Sequence, residues 1–121
     1  MIEIKEGEKS PYILVKPEEN KFIMKGNSFM ANPPSFFEKI LEWSNQYRVG
    51  AGATLTIEIT VGFYNTSTLK IMNMLLKNLV SNNSGKVNLV LFVEEDDEDQ
   101  INTASTISFS VGMEPKIVYY S

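Results

Sequence analysis

The chain has 121 residues, with 11 lysines and arginines against 15 aspartates and glutamates, a net charge of −4, and neither cysteine nor histidine. Without cysteine there is no disulfide framework, thiolate metal site or thiol nucleophile, and without histidine the commonest metal ligand and the usual general base near neutral pH are gone. A mildly acidic balance also lacks the basic footprint of a nucleic-acid binder.

The length fits one compact domain spanning residues 1–121, and no repeat, low-complexity segment or linker divides it. Met1 leads into Ile2-Glu3-Ile4-Lys5 with no apolar h-region, so no signal peptide is expected. No apolar run approaches the length of a membrane span. The expectation is a soluble cytoplasmic domain with no cofactor.

In chain order, Pro11-Tyr12-Ile13-Leu14-Val15 reads as a short strand, Lys16-Pro17-Glu18-Glu19-Asn20 as a turn, and Lys21-Phe22-Ile23-Met24-Lys25 as a second strand closed by Gly26-Asn27. The pair is a predicted hairpin. Asn32-Pro33-Pro34-Ser35 opens a helix, because proline is tolerated in a first turn and costly deeper. Phe36, Phe37, Ile40, Leu41, Ser44 and Tyr47 share one face of it. It ends near Val49-Gly50-Ala51-Gly52.

From Thr54 to Val61, apolar Leu55, Ile57, Ile59 and Val61 alternate with mostly threonine, a strand pattern suited to a half-covered or edge position. The period turns helical from Thr66 to Asn83, with Leu69, Met72, Leu75/Leu76 and Leu79/Val80 as the buried stripe. Lys86 to Val93 is almost continuously apolar, which suits a central strand buried on both faces. Residues 101–111 fit helix or strand. Acids in a first turn favour helix through the macrodipole, with Gly112 as its left-handed stop. Lys116-Ile117-Val118-Tyr119-Tyr120 is a last short strand. The order β-β-α-β-α-β-α-β predicts an α/β fold, with a mainly parallel or mixed central sheet, helices packed on it and right-handed crossovers.

Two strand-to-helix junctions stand out: Tyr64-Asn65-Thr66-Ser67-Thr68 and Glu94-Glu95-Asp96-Asp97-Glu98-Asp99. In a parallel sheet both lie at the C-terminal edge, where sites in open α/β folds gather. Local chemistry alone reads the hydroxyl run as a helix cap, since Asn, Ser and Thr oxygens accept from free backbone N–H groups. The same helix start would also hold a phosphate, bound or covalently attached to threonine. The acidic run reads first as a solvated helix start. As a magnesium site it is weak, because consecutive carboxylates need not converge. Trp43, Tyr47 and the Phe36/Phe37 pair read as core. No acid/base carboxylate pair, nucleophilic triad or glycine-rich phosphate loop is present. Gly50-Ala51-Gly52 is too short and precedes a strand.

Phe63-Tyr64-Asn65-Thr66-Ser67-Thr68-Leu69-Lys70, followed by a helix, a strand and the acidic run, resembles the SiaC family of bacterial regulatory phosphoproteins, which pairs a "YFNTSSSK"-like motif with an "EEDDEDM"-like one. "KSPYI" and "GNSFMANPPSFFEKILEW" also resemble the family's amino-terminal half, so the resemblance covers about residues 9–118. It implies a single domain similar to the STAS domains of anti-sigma-factor antagonists. It implies no catalysis. A partner protein kinase would phosphorylate the threonine matching Thr66, a PP2C-type phosphatase would reverse this, and the unphosphorylated form would bind and regulate an effector such as a diguanylate cyclase. Tyr64, Asn65, Ser67 and Thr68 would shape the switch loop. Glu94, Glu95, Asp96, Asp97, Glu98 and Asp99 would form a partner or metal surface. Here the family's "YPENA" is Phe29-Met30-Ala31-Asn32-Pro33, without the glutamate, and the usually charged helix after the acidic run is almost uncharged. Two other functions fit the residues: a small enzyme binding an anion or metal at the start of the helix at Thr66, and a constitutive structural oligomer subunit.

Overall fold

The computed structural model describes residues 1–121. Its strands are β1 (Ile2–Ile4), β2 (Tyr12–Lys16), β3 (Lys21–Lys25), β4 (Leu55–Thr60), β5 (Val87–Glu94) and β6 (Lys116–Tyr120). Its helices are α1 (Pro33–Gln46), α2 (Thr66–Asn82) and α3 (Glu98–Val111). The predicted hairpin is present: β2 and β3 run antiparallel, joined by a 3-10 turn at Pro17–Glu19 and by Asn20 in the left-handed region. Residues 101–111 are helical, and Gly112 ends α3 at φ 76°.

The sequence order is corrected at its start, where three strands precede α1 rather than two. β1 is only three residues long and pairs antiparallel with β2, Ile2 opposite Val15 and Ile4 opposite Ile13. Three residues are too few to show an alternating pattern. The segment becomes a strand because the edge of β2 offers it partners.

The six strands lie in sequence order across one sheet. β3–β4, β4–β5 and β5–β6 are parallel, and each pair is connected through one helix. The sheet therefore grows one way as it crosses over, and α1 packs on α2 and α2 on α3 in a single layer. Beneath them lie Ile13, Val15, Phe22, Met24, Leu55, Ile57, Ile59, Leu89, Leu91 and Val93, all buried with Phe37, Ile40, Met72, Leu76 and Leu79 of the helices. Leu69 and Val80 are only half-buried at the rim of the α2 stripe, which instead adds Thr68 and Ile71.

This one-sided layering overturns the expectation that β5 is buried on both faces. Val90 is buried, but Asn88 is exposed and Phe92 half-buried on the face without helices. β4 is interior, not an edge, and its half-buried Thr56, Glu58 and Thr60 sit on that same open face. No helix is long and apolar enough to cross a membrane.

Candidate functional site

The site begins where β4 gives way to α2. Gly62 is held in close quarters: a Cβ there would meet Asn27 Oδ1 at 2.7 Å and Gly26 O at 2.8 Å, distances that real side chains do not tolerate. Asn27 Oδ1 in turn accepts from Phe63 N at 2.8 Å. Ser28 N donates to Phe63 O at 2.9 Å, and Asn65 N donates to Ser28 O at 3.1 Å. The segment after β3 thus laces the segment after β4 residue by residue, through a parallel bridge between Ser28 and Tyr64. Tyr64 is buried beneath. Its hydroxyl accepts from Gly62 N at 3.0 Å, and burial pushes its pKa up to about 12.

The three consecutive hydroxyls separate cleanly. The cap of α2 is none of them but Asn65, whose Oδ1 accepts from Thr68 N at 3.0 Å and from Thr68 Oγ1 at 2.6 Å. Its amide Nδ2 donates to Met30 O at 3.0 Å. Thr68 is fully buried, and its Oγ1 lies 2.8 Å from Ser28 Oγ. Because the Thr68 proton points at Asn65, Ser28 is the donor of that pair. Thr66 and Ser67 are exposed in the first turn. Neither side chain makes a hydrogen bond, and the N–H groups of both remain without a protein acceptor. Those are the orphan donors of a helix start.

The acidic run behaves as a solvated helix start. Glu94 ends β5, Asp96 takes a left-handed φ of 69°, and Asp97 caps α3 by accepting from Gln100 N at 3.0 Å. Glu98 and Asp99 occupy the first turn, where negative charge suits the helix dipole. The carboxylates spread over an open surface, and no three acidic groups converge to hold a metal ion.

The two junctions do meet, as their neighbouring strands require. A cavity of about 430 Å³ has Asn27, Gly62, Phe63 and Tyr64 on one wall and Asp97, Asp99, Gln100, Asn102 and Thr103 on the other. Thr66 is not among its lining residues. It sits outside, and an exposed aromatic pair precedes it: Phe29 and Phe63 stack with ring centroids 5.1 Å apart and are 43% and 56% exposed. Sequence reasoning missed the contributions of Asn27, Ser28 and Phe29. Gly26-Asn27 reads only as a strand stop, and the family-like run from Gly26 to Trp43 carries no sign of contact with the segment after β4.

The family described as SiaC family regulatory phosphoprotein matches residues 4–118. No curated protein matches the sequence significantly. Solved structures share the fold at low identity. Apo-SiaC from Pseudomonas aeruginosa is 18% identical, with 99% of this chain and 98% of that one covered and a TM-score of 0.78. A second SiaC structure from the same organism is 17% identical, covers 98% of both chains and has a TM-score of 0.81. A chain in the crystal structure of the diguanylate cyclase SiaD with its activator SiaC, also from P. aeruginosa, is 19% identical, with 99% of this chain and 100% of that one covered and a TM-score of 0.87.

Proposed function

The chain belongs to the SiaC family of regulatory phosphoproteins, a family of regulators rather than catalysts, and from that premise we propose that it is a signalling adaptor switched by reversible phosphorylation of Thr66. A protein kinase adds the phosphate, a PP2C-type phosphatase removes it, and the unmodified protein binds and regulates an effector. The SiaD–SiaC complex has a diguanylate cyclase in that place, and an effector of this class is the counterpart here.

The observation that carries the reading is the sorting of the hydroxyls. Thr68 is buried and hydrogen-bonded, whereas Thr66 stands exposed with a free hydroxyl at the start of α2. A kinase reaches Thr66 without opening the fold. The phosphate it leaves carries about −1.5 to −2 charges. Within the free protein, the orphan N–H groups and the dipole of α2 favour that charge.

Inside a complex the balance reverses. An effector that covers Thr66 together with the Phe29–Phe63 pair removes water from that surface. An unpaired dianion trapped there costs several kcal/mol, on the order of the penalty for a buried unpaired charge, and the complex separates. The metal-binding reading has no converging carboxylates behind it.

The test is phosphosite mapping by mass spectrometry on protein from its native host, with phosphatases inhibited during lysis and fragmentation that separates Thr66 from exposed Ser67. Phosphate on Thr66, with an effector captured by wild type and Thr66→Ala but lost to Thr66→Asp, is the expected result. A fully covered peptide without phosphate in every growth state, or equal capture by all three proteins, overturns it.

A further inference from the structure

The two edges of the sheet are built differently. β1 is three residues long and carries Glu3, with the Lys5 ammonium 3.6 Å from its carboxylate. A short, charged edge resists the addition of another strand. β6 is longer, and after Lys116 it reads Ile117-Val118-Tyr119-Tyr120 without a charge. Its hydrogen-bonding phase is fixed by Glu95 N, which donates to Tyr120 O at 2.7 Å. Tyr120 and, two residues earlier, Val118 therefore turn their peptide groups toward β5. Ile117 and Tyr119 turn theirs outward, where no strand of the sheet receives them.

The side chains of Ile117 and Tyr119 point to the helix side. There they line a groove of about 530 Å³ with Ile101, Ala104 and Phe109 of α3, and Glu114 is its one charged lining residue. Phe109 is 91% exposed. From Gln100 to Val111 the helix carries no charge at all, in a chain whose net charge is −4.

We propose that β6 and α3 form a self-association surface, with the β6 strands of two copies pairing antiparallel about a two-fold axis through Val118. Several features commit the surface to a second copy. In that register Ile117 faces Tyr119 of the second copy, and the outward groups of both make the closely spaced hydrogen bonds of an antiparallel ladder. Val118 faces its own counterpart on the open face of the sheet. Lys116 faces Tyr120 of the second copy, so no like charges oppose each other. The nearby charges fit this pairing: the acidic Glu94-Glu95 end of β5 adjoins Tyr120, and the register sets Lys116 of the second copy beside that end. The proposal does not depend on phosphorylation of Thr66.

The absence of cysteine gives a direct test, because Val118→Cys introduces a single thiol. Opposed residues in a non-hydrogen-bonded antiparallel pair lie about 4.5 Å apart at Cα, within the about 4.4–6.8 Å span of disulfides. Val118→Cys should give covalent dimer under mild oxidation about tenfold faster or more than Asn88→Cys, a thiol exposed on the same face but away from the edge. Wild type should sediment as a concentration-dependent dimer. Tyr119→Pro, which removes one outward N–H and fits an edge strand, should sediment as a monomer with an unchanged circular dichroism spectrum. Wild type that stays monomeric at high concentration, or Val118→Cys that crosslinks no faster than the control, overturns the proposal. If Tyr119→Pro fails to fold, the thiol comparison decides alone.

Discussion

Single side chains divide here into those that build the loop and those that face outward from it. Thr68 builds: its hydroxyl joins Asn65 and Ser28 in a buried chain of hydrogen bonds. Thr68→Val keeps the shape and the bond from Thr68 N to Asn65 Oδ1 but strands the buried Ser28 hydroxyl, at a cost of about 1–3 kcal/mol for an unsatisfied buried group. A urea midpoint lowered accordingly, with the m-value unchanged, is the expected result. Ser67→Ala removes an exposed, unbonded hydroxyl and should leave the midpoint where it is. Tyr64 adds a pH signature. Burial raises its pKa from 10.0 to about 12, so the folded state holds the phenolic proton more tightly than the unfolded chain does. Its contribution to stability is complete below about pH 10 and is lost as pH rises toward 12. Denaturation followed across that window should steepen in wild type relative to Tyr64→Phe. Parallel curves would show that Tyr64 is not the late-titrating group.

The elements themselves were mostly legible in the sequence, for physical reasons that also explain the exceptions. Lys21–Lys25 and Lys116–Tyr120 are strands with the residues expected. α2 begins at Thr66, because asparagine before a run of helix period is a strong start signal. Gly112 stops α3 in the left-handed conformation expected of it. β1 was invisible because a three-residue strand exists only through its neighbour. The open face of β5 was hidden because Val90 and Phe92 are as apolar as the buried Leu89 and Leu91, and composition does not say where the helices lie. The site was half legible. The motif singles out Thr66 as the candidate, but which hydroxyl is buried depends on Ser28 and Asn27, brought in from about forty residues upstream by the parallel pairing of β3 and β4. That lacing makes Gly62 the critical joint. Gly62→Ala forces a methyl group to within 3 Å of Gly26 O, and overpacking of this kind costs about 1–3 kcal/mol. The expected result is a lower melting temperature and a mobile Phe63–Thr66 segment by hydrogen exchange. Ser84→Ala, in the exposed turn just past the far end of α2, should change neither.

At the scale of the whole molecule, the proposed switch poses the question whether a phosphate on Thr66 would work by loosening the fold or by altering a surface. The core lies in one layer between the sheet and α1–α3, and Thr66 belongs to none of it. Its hydroxyl holds no partner that modification would remove, and its helix start welcomes negative charge by about 0.3–1 kcal/mol. The modified protein should therefore be as stable as the unmodified one, or slightly more so. A core truncation sets the scale for real loosening: Leu76→Ala, at a fully buried position, should cost about 2–5 kcal/mol. Thermal and urea unfolding of enzymatically phosphorylated protein, wild type and Leu76→Ala, measured together, separate the two mechanisms. If phosphorylation approaches the Leu76→Ala loss, the switch acts through unfolding and the local account fails. If it leaves stability unchanged while abolishing effector binding, the signal is carried by charge on an intact surface. The cell can then reset it by removing the phosphate, with no refolding step.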